Sequence, residues 1–551
     1  MRLKATCLLV LTLVIAAAPS SSGDDLSPTS APVAEAVPLA AGIDAAILEQ
    51  LQRGGILPAP TVGDPAYLRR VMLDLAGRIP TAKELAEFSA QAAPNKREEC
   101  VDRLLASPDF ALHDRNELDI LLLARLQWNA EWRSYLLVAT QEHRPWDQLI
   151  REILLPEKHR ADHKGAAAFL MQRASDLDAM TNDTSTLLFG VNIACAKCHD
   201  HPLVPDWHQD HYFGFASFFK RTFATRRGTL AERFDGELKF TTTQGEEKQS
   251  KFMFLNGRVI DEAPIERTDE QWAEIREQLK KAEQDDKAPA PPVPPFSPRE
   301  KLLELAFESR DQPLLARNLA NRLWARLMGH GLVHPLDQMH SGNLPSHPEL
   351  LDRLTSELLQ HAYDPRPLLR GIVLSQAYAR SSRLDASATP SAREQFAVRI
   401  PRALTPFQYS LSLWIASRSP ESLPGWQKND QWLDTRTKWE ERSEGFARRF
   451  EIPDDNHQIS VEEALMLSNS PQAESEFLTD QNDTLIGHLK SLADFQKQID
   501  AVYSTILSRE PSSEEREAVT RYWQLQGDHS DAARRQLVWA LLTSAEFRFN
   551  H

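Results

Sequence analysis

The chain has 551 residues, 42% of them hydrophobic and 26% charged, a globular composition with length for about two to four domains. Its 78 acidic residues outnumber 63 lysines and arginines, for a net charge of −15, which argues against nucleic acid or an anionic membrane as partner. With 21 glycines, 35 prolines and four cysteines, it is no disulfide-built scaffold and reads as mainly α: multi-helix bundle domains with a small β-hairpin insertion.

Residues 1–23 combine a basic start (Arg2, Lys4), an apolar run from Ala5 to Pro19 and a small-residue exit through Ser20–Gly23. That is the pattern of a secretory signal peptide, and it places the mature protein in the periplasm or outside the cell. Cys7 lies inside this segment without a lipoprotein-like lead-in, and no later run is long enough to span a bilayer. Residues 24–41, rich in Ser, Pro and Ala, read as a disordered lead-in. The fold is expected to begin at residue 42, with an N-terminal helical domain over 42–283.

Within that domain Ile43, Ala46, Ile47 and Leu51 recur at helical spacing, as do Tyr67, Val71, Met72 and Leu75. Thr81-Ala-Lys-Glu84 is a capping box opening the next helix. Cys100 shares a stripe with Val101, Leu104 and Leu105 and reads as a buried, inert thiol. Further stripes run from Leu121 to Leu126, Trp132 to Val138 and Trp146 to Leu155.

Directly after Leu187-Leu188-Phe189-Gly190 comes Cys195-Ala196-Lys197-Cys198-His199-Asp200-His201-Pro202. C-x-x-C-H is the attachment pattern of c-type haem. Two thiols one helical turn apart reach the two vinyl groups of the porphyrin, and the adjacent histidine reaches the iron. The same residues also suit a small disulfide, a redox dithiol, or half of a zinc site completed by His199 and His201.

His208, His211, Tyr212, Phe215 and Phe219 follow on one helical face. The aromatics suit core packing, and the functional alternative is that this helix folds over a haem. Around 234–260 the period changes to alternation (Leu238, Phe240, Thr242; Phe252, Phe254), with Asn256-Gly257 as a tight-turn signal. Thr268–Glu283 returns to helix, and 284–297 is a proline-rich, stiff linker.

Residues 298–551 read as a C-terminal helical domain. Leu315, Leu319, Leu323, Trp324 and Leu327 form a stripe ending at Gly329, and Ser346-His-Pro-Glu349 reads as a capping box. Leu368–Tyr378, Phe495–Leu507 and Leu537–Phe547 read as helices, with another opened by the box Ser512-Ser-Glu-Glu515. There is no phosphate-binding glycine loop, no G-x-S-x-G elbow and no H-E-x-x-H.

Cys-Ala-Lys-Cys-His-Asp-His-Pro with Trp207 and Tyr212-Phe213, together with Leu73-Asp74-Leu75-Ala76-Gly77-Arg78-Ile79-Pro80-Thr81, resembles the planctomycete-type cytochrome-c-like domain of unknown function found in secreted proteins. The second half resembles the domain that habitually follows it, through Asn321-Arg-Leu-Trp-Ala-Arg-Leu-Met-Gly329, Gly331-Leu-Val-His-Pro-Leu-Asp337, Pro345-Ser-His-Pro-Glu-Leu-Leu351, Ile372-Val-Leu-Ser375 and Ser544-Ala-Glu-Phe547. The resemblance implies this two-domain architecture and a cytochrome-like site, but no settled activity. His211 stands where the family has an acid before the tyrosine, and the separate N-terminal cytochrome module of some relatives is missing.

The leading expectation is an exported protein with covalent haem c and an electron-transfer or redox role toward an unknown redox partner. Cys195 and Cys198 are its thioether anchors and His199 its proximal ligand. His201 sits too close along the chain to reach the opposite face of the iron. That position is open to His208, His211, Met171 or Met180, with His211 favoured. The competing expectation is a zinc-dependent extracellular hydrolase or lyase drawing on His199, Asp200, His201, Asp206, His208, Asp210 and His211. A third is a non-catalytic assembly protein in which the motif is structural.

Overall fold

The computed structural model describes residues 38–123, 129–158, 165–201, 204–264, 266–309, 311, 313–383, 390–426, 429–453, 463, 471–526 and 530–551. The signal segment 1–23, the lead-in up to residue 37, the end of the Leu121–Leu126 stripe and Pro202 of the motif lie outside the described residues.

The first half rises in short helices: α1 (Leu39–Arg53), α2 (Asp64–Ala76), α3 (Ala82–Ala90), α4 (Lys96–Leu105), α5 (Pro108–Leu123), α6 (Ala130–Gln141) and α7 (Trp146–Leu154). α8 (Ala168–Met171) and α9 (Leu177–Asp183) lead through a 3-10 turn at Ala194–Lys197 to α10 (Gln209–Lys220). α11 (Asp269–Gln284), α12 (Pro298–Glu308), α13 (Leu314–Met328), α14 (Pro348–Gln360), α15 (Pro365–Val373) and α16 (Gln376–Ala379) continue the pattern. The fold is mainly α, its strands confined to two-stranded antiparallel sheets, and among the described residues no helix is long and apolar enough to cross a membrane.

Local chemistry accounts for most boundaries. Thr81 accepts from the Glu84 backbone at 3.1 Å while Glu84 accepts from that of Thr81 at 2.8 Å, a complete capping box. The box at Ser512 and Glu515 forms in the same way. Ser346 does not cap. Pro348 fixes the first residue of α14, so the N-cap falls on His347, whose side chain caps nothing. The Leu368–Tyr378 stripe breaks into α15 and α16 at Ser375, whose hydroxyl accepts from the Tyr378 N–H. Ser544 divides Leu537–Phe547 in the same way.

The β insertion is larger than the alternation suggests and starts earlier. Three hairpins occupy 222–260: β1 (Thr222–Ala224) with β2 (Leu230–Glu232), β3 (Lys239–Thr241) with β4 (Glu247–Gln249), and β5 (Phe252–Met253) with β6 (Val259–Ile260). Phe213 of α10 stacks on Phe240 of β3 at 4.3 Å, which fixes the insertion to the helix after the cysteine motif.

Residues Pro38–His551 form one compact unit. Its larger core draws on both sides of 284–297, from Ile43 through Phe219 to Leu302 and Ala397. A second core gathers Leu404 to Phe547 and takes Leu73 and Ile79 from the first half. The two meet around α2. Asp74, 2% exposed, accepts from Tyr378 Oη at 2.7 Å and Asn550 Nδ2 at 2.9 Å, and pairs with Arg399 and Arg402. Arg78 pairs with Glu84 and Asp109, both at 2.8 Å, beneath the ring of Trp432. Gly77 ends α2 with φ of +69°, where a Cβ would lie 2.6 Å from the His113 ring.

His113 donates from Nε2 to the Asp74 carbonyl at 3.1 Å. Burial first, then the charges of Arg326 and Arg436, push its pKa down to about 3, against about 6.5 for a free imidazole. The unfolded chain therefore takes up a proton that the native chain refuses between these values. Stability contributed here is full above pH 6.5 and lost as pH falls through the window, by up to about 1.4 kcal/mol per pH unit. His113→Gln is expected to flatten the dependence of the urea midpoint on pH between 6 and 4. An unchanged slope would assign the acid limb to other groups.

Candidate functional site

The cysteine motif is carried on a platform shared by both halves of the chain. After a single π-helical turn at Thr184–Leu188, Gly190 turns with φ of +70°. A Cβ there would meet Asn318 Oδ1 at 2.7 Å and Met339 sulfur at 3.1 Å. The Gly190 carbonyl accepts from the Met339 N–H at 2.9 Å, and Asn192 N–H donates to the Asp337 carbonyl at 2.8 Å. Val191 and Gln338 make an antiparallel bridge. The segment before the motif is thus pinned to the Val333–Met339 stretch of the second half, and Asn192 Oδ1 then accepts the N–H of Ala194, where the 3-10 turn begins.

Cys195 and Cys198 lie on that turn and at its end, both exposed and both free thiols. Ala196 between them faces inward and is fully buried. Lys197 is held by Asp178 of α9, whose other carboxylate oxygen accepts from Tyr212 Oη at 2.5 Å. The Lys197 hydrogen bond, then that of Tyr212, keeps Asp178 below the usual carboxylate range. Gln209, the first residue of α10, donates from its side chain toward the Lys197 and Cys198 carbonyls at 3.4 and 3.3 Å. The turn is therefore clamped from α9 and α10 while its thiols point outward.

His199 is exposed, with Nδ1 2.7 Å from the Asp200 carbonyl. A carbonyl only accepts, so Nδ1 carries the proton and the lone pair lies on Nε2. Asp200 also accepts from the Gln209 N–H at 3.2 Å and faces His208 Nδ1 at 3.3 Å; the Gln209 bond is the main cause of its lowered pKa.

His208 remains half exposed. His211 Nδ1 accepts the His208 N–H at 3.2 Å, closing the first turn of α10, and Trp207 stands edge-on to its ring at 5.7 Å. Burial, more than the neighbouring His208, lowers the His211 pKa. Its remaining proton thus sits on Nε2, so either nitrogen must first give up that arrangement to bind a metal.

His201 donates its N–H to the Trp207 carbonyl at 2.8 Å and lies close enough for its charge to depress His340, second to burial. Met180 is buried and Met171 packs half-buried against the core. Cys100, also buried, has its thiol pushed up to about 12 by desolvation. Among the described residues no group of three His, Cys, Asp or Glu side chains converges to hold a metal ion.

Cys195, Cys198 and His199 are thus brought together on one exposed turn, and Asp200 ties His208 to the same loop. The partners Asp178, Asp337 and Met339 carry no spacing signal in the sequence, since two of them come from the second half.

Residues 42–224 match the family model PSCyt2, described as a protein of unknown function (DUF1549), and residues 298–449 match PSD1, described likewise (DUF1553). No curated protein and no solved structure matches the chain. The two matches support the pairing of two domains of unknown function that the sequence resembles.

Proposed function

We propose that this pair of domains is an exported redox protein carrying covalent haem c. Cys195 and Cys198 would hold the porphyrin as thioethers and His199 would be the proximal iron ligand, the haem supplying one-electron chemistry. The observation that supports this most is the hydrogen bond from His199 Nδ1 to the Asp200 carbonyl. It fixes the tautomer that presents Nε2 to a metal and orients the ring, as backbone carbonyls do for ligating histidines. Two exposed, unbridged thiols on the same turn fit the attachment chemistry. His208, with its Nδ1 facing Asp200, would be freer than His211 to help hold the group, since His211 Nδ1 is taken up by the His208 N–H.

The zinc alternative draws less support, since it needs three ligands and no such group converges among the described residues. The two readings separate in one measurement. Protein produced in an export host able to attach haem should show a haem absorption band that stays with the chain after denaturation, because thioethers survive unfolding. Colourless protein containing stoichiometric zinc would replace this proposal with the metal-site reading.

A further inference from the structure

A second site lies away from the cysteine turn. α5, α6 and α13 border a half-open cavity of about 600 Å3, a size that suits a small organic ligand. Leu118, Leu121, Leu319 and Leu323 give it an apolar wall.

Its arginines divide into paired and unpaired. Arg326 donates to Asp114 at 3.0 Å, Arg366 grips Asp364 through two nitrogens, Arg402 pairs with Asp74, and Arg144 pairs with Glu142 and Glu152. Arg322 is different. Its Nε donates to Asn318 Oδ1 at 3.0 Å and its Nη2 to the Thr186 carbonyl at 2.7 Å, both uncharged acceptors. Among the described residues it has no carboxylate at ion-pair distance and no acceptor for Nη1. Desolvation pulls its pKa down to about 10, and the charge of Asp337, beyond ion-pair distance, offsets this only in part. Glu117, on the same wall, makes no ion pair with it: burial, the largest effect, raises its pKa against the charges of Arg326 and Arg402, and its Oε1 has no hydrogen-bond partner.

We propose that this cavity binds an organic acid with an apolar body, the ligand's carboxylate pairing with Arg322 and its hydrocarbon lying on the leucine wall. A single cation without a carboxylate at ion-pair distance suits a monoanion better than a phosphate dianion, and Arg326, though paired with Asp114, adds two buried nitrogens, Nε and Nη2, without a hydrogen-bond partner.

The test is calorimetric titration of the full chain at pH 7 with decanoate, decanol and decylammonium. Decanoate is expected to bind at least tenfold more tightly than decanol, and decylammonium not to bind. Arg322→Gln, whose amide can still donate toward Thr186 or Asn318, should reduce decanoate to the level of decanol. Leu118→Trp, which fills the apolar side, should weaken both. Absence of decanoate binding, equal affinities for decanoate and decanol, or decanoate binding unchanged in a folded Arg322→Gln variant would overturn the proposal. If Arg322→Gln does not fold, the wild-type preference for decanoate over decanol decides.

Discussion

Asp74→Asn is expected to destabilise the protein by on the order of 3–5 kcal/mol, the cost of leaving buried charge without its partner. The substitution keeps the volume and an acceptor for Tyr378 but removes the carboxylate that pairs with Arg399 and Arg402. Arg399 is fully buried, and desolvation, then the nearby charge of Arg70, already pulls its pKa down to about 9. Without Asp74 the cluster is a set of guanidiniums repelling one another in a medium of low dielectric. Urea denaturation followed by tryptophan fluorescence should show the midpoint fall sharply. A loss under about 1 kcal/mol would mean that water reaches these arginines and that the cluster is worth no more than a surface pair.

The second large effect is on cofactor retention. Cys195→Ala with Cys198→Ala should abolish haem that survives denaturation, a complete loss, because both thioethers go. His199→Ala should keep some attached haem but change its spectrum, since the thiols remain while the proximal nitrogen is gone. Cys100→Ser is the control, and it should leave haem content at the wild-type level: that thiol is buried in the core and protonated at neutral pH. Haem staining of denatured gels and absorption spectra read all three variants. Wild-type levels of denaturation-resistant haem in the double variant would remove Cys195 and Cys198 from the site.

The helices were legible wherever a repeating apolar stripe coincided with a capping signal, as at Thr81 and Ser512, because both depend on neighbours within a few residues. The stripes that broke did so at Ser375 and Ser544. There a hydroxyl satisfied the next turn's N–H groups and started a new helix without interrupting the hydrophobic pattern. β1 and β2 carry no alternation in the sequence because their residues are buried on both faces, Glu232 included.

The cysteine motif announces itself through spacing alone, yet the tautomer of His199 and the clamp on Lys197 depend on Asp178, Asp200 and Tyr212, which only folding brings together. The segment Leu73–Thr81 was legible as a shared motif but not for what it does. Asp74 and Arg78 serve as contact points between the two halves: the side-chain partners of Asp74 lie more than 300 residues away, and Arg78 lies against Trp432. The cavity left one trace, two arginines four residues apart at 322 and 326 beside Leu319 and Leu323 of the same helix. Their difference, one paired and one not, is invisible without the acids of α5.

The joining of α2 to the end of the chain sets an order on assembly. Asn550 reaches Asp74 across 476 positions, and the Arg70 guanidinium reaches the His551 carbonyl across 481. A ribosome adding roughly 5–20 residues per second needs about half a minute or more to cover that stretch. Asp74 gains Tyr378, Arg399 and Arg402 well before the end of that interval, whereas Asn550 for Asp74 and the His551 carbonyl for Arg70 come last. The seam between the two cores is therefore completed late, and a polypeptide stopped ten residues early would lack the contacts of Arg69, Arg70 and Asp74 with Phe547, His551 and Asn550.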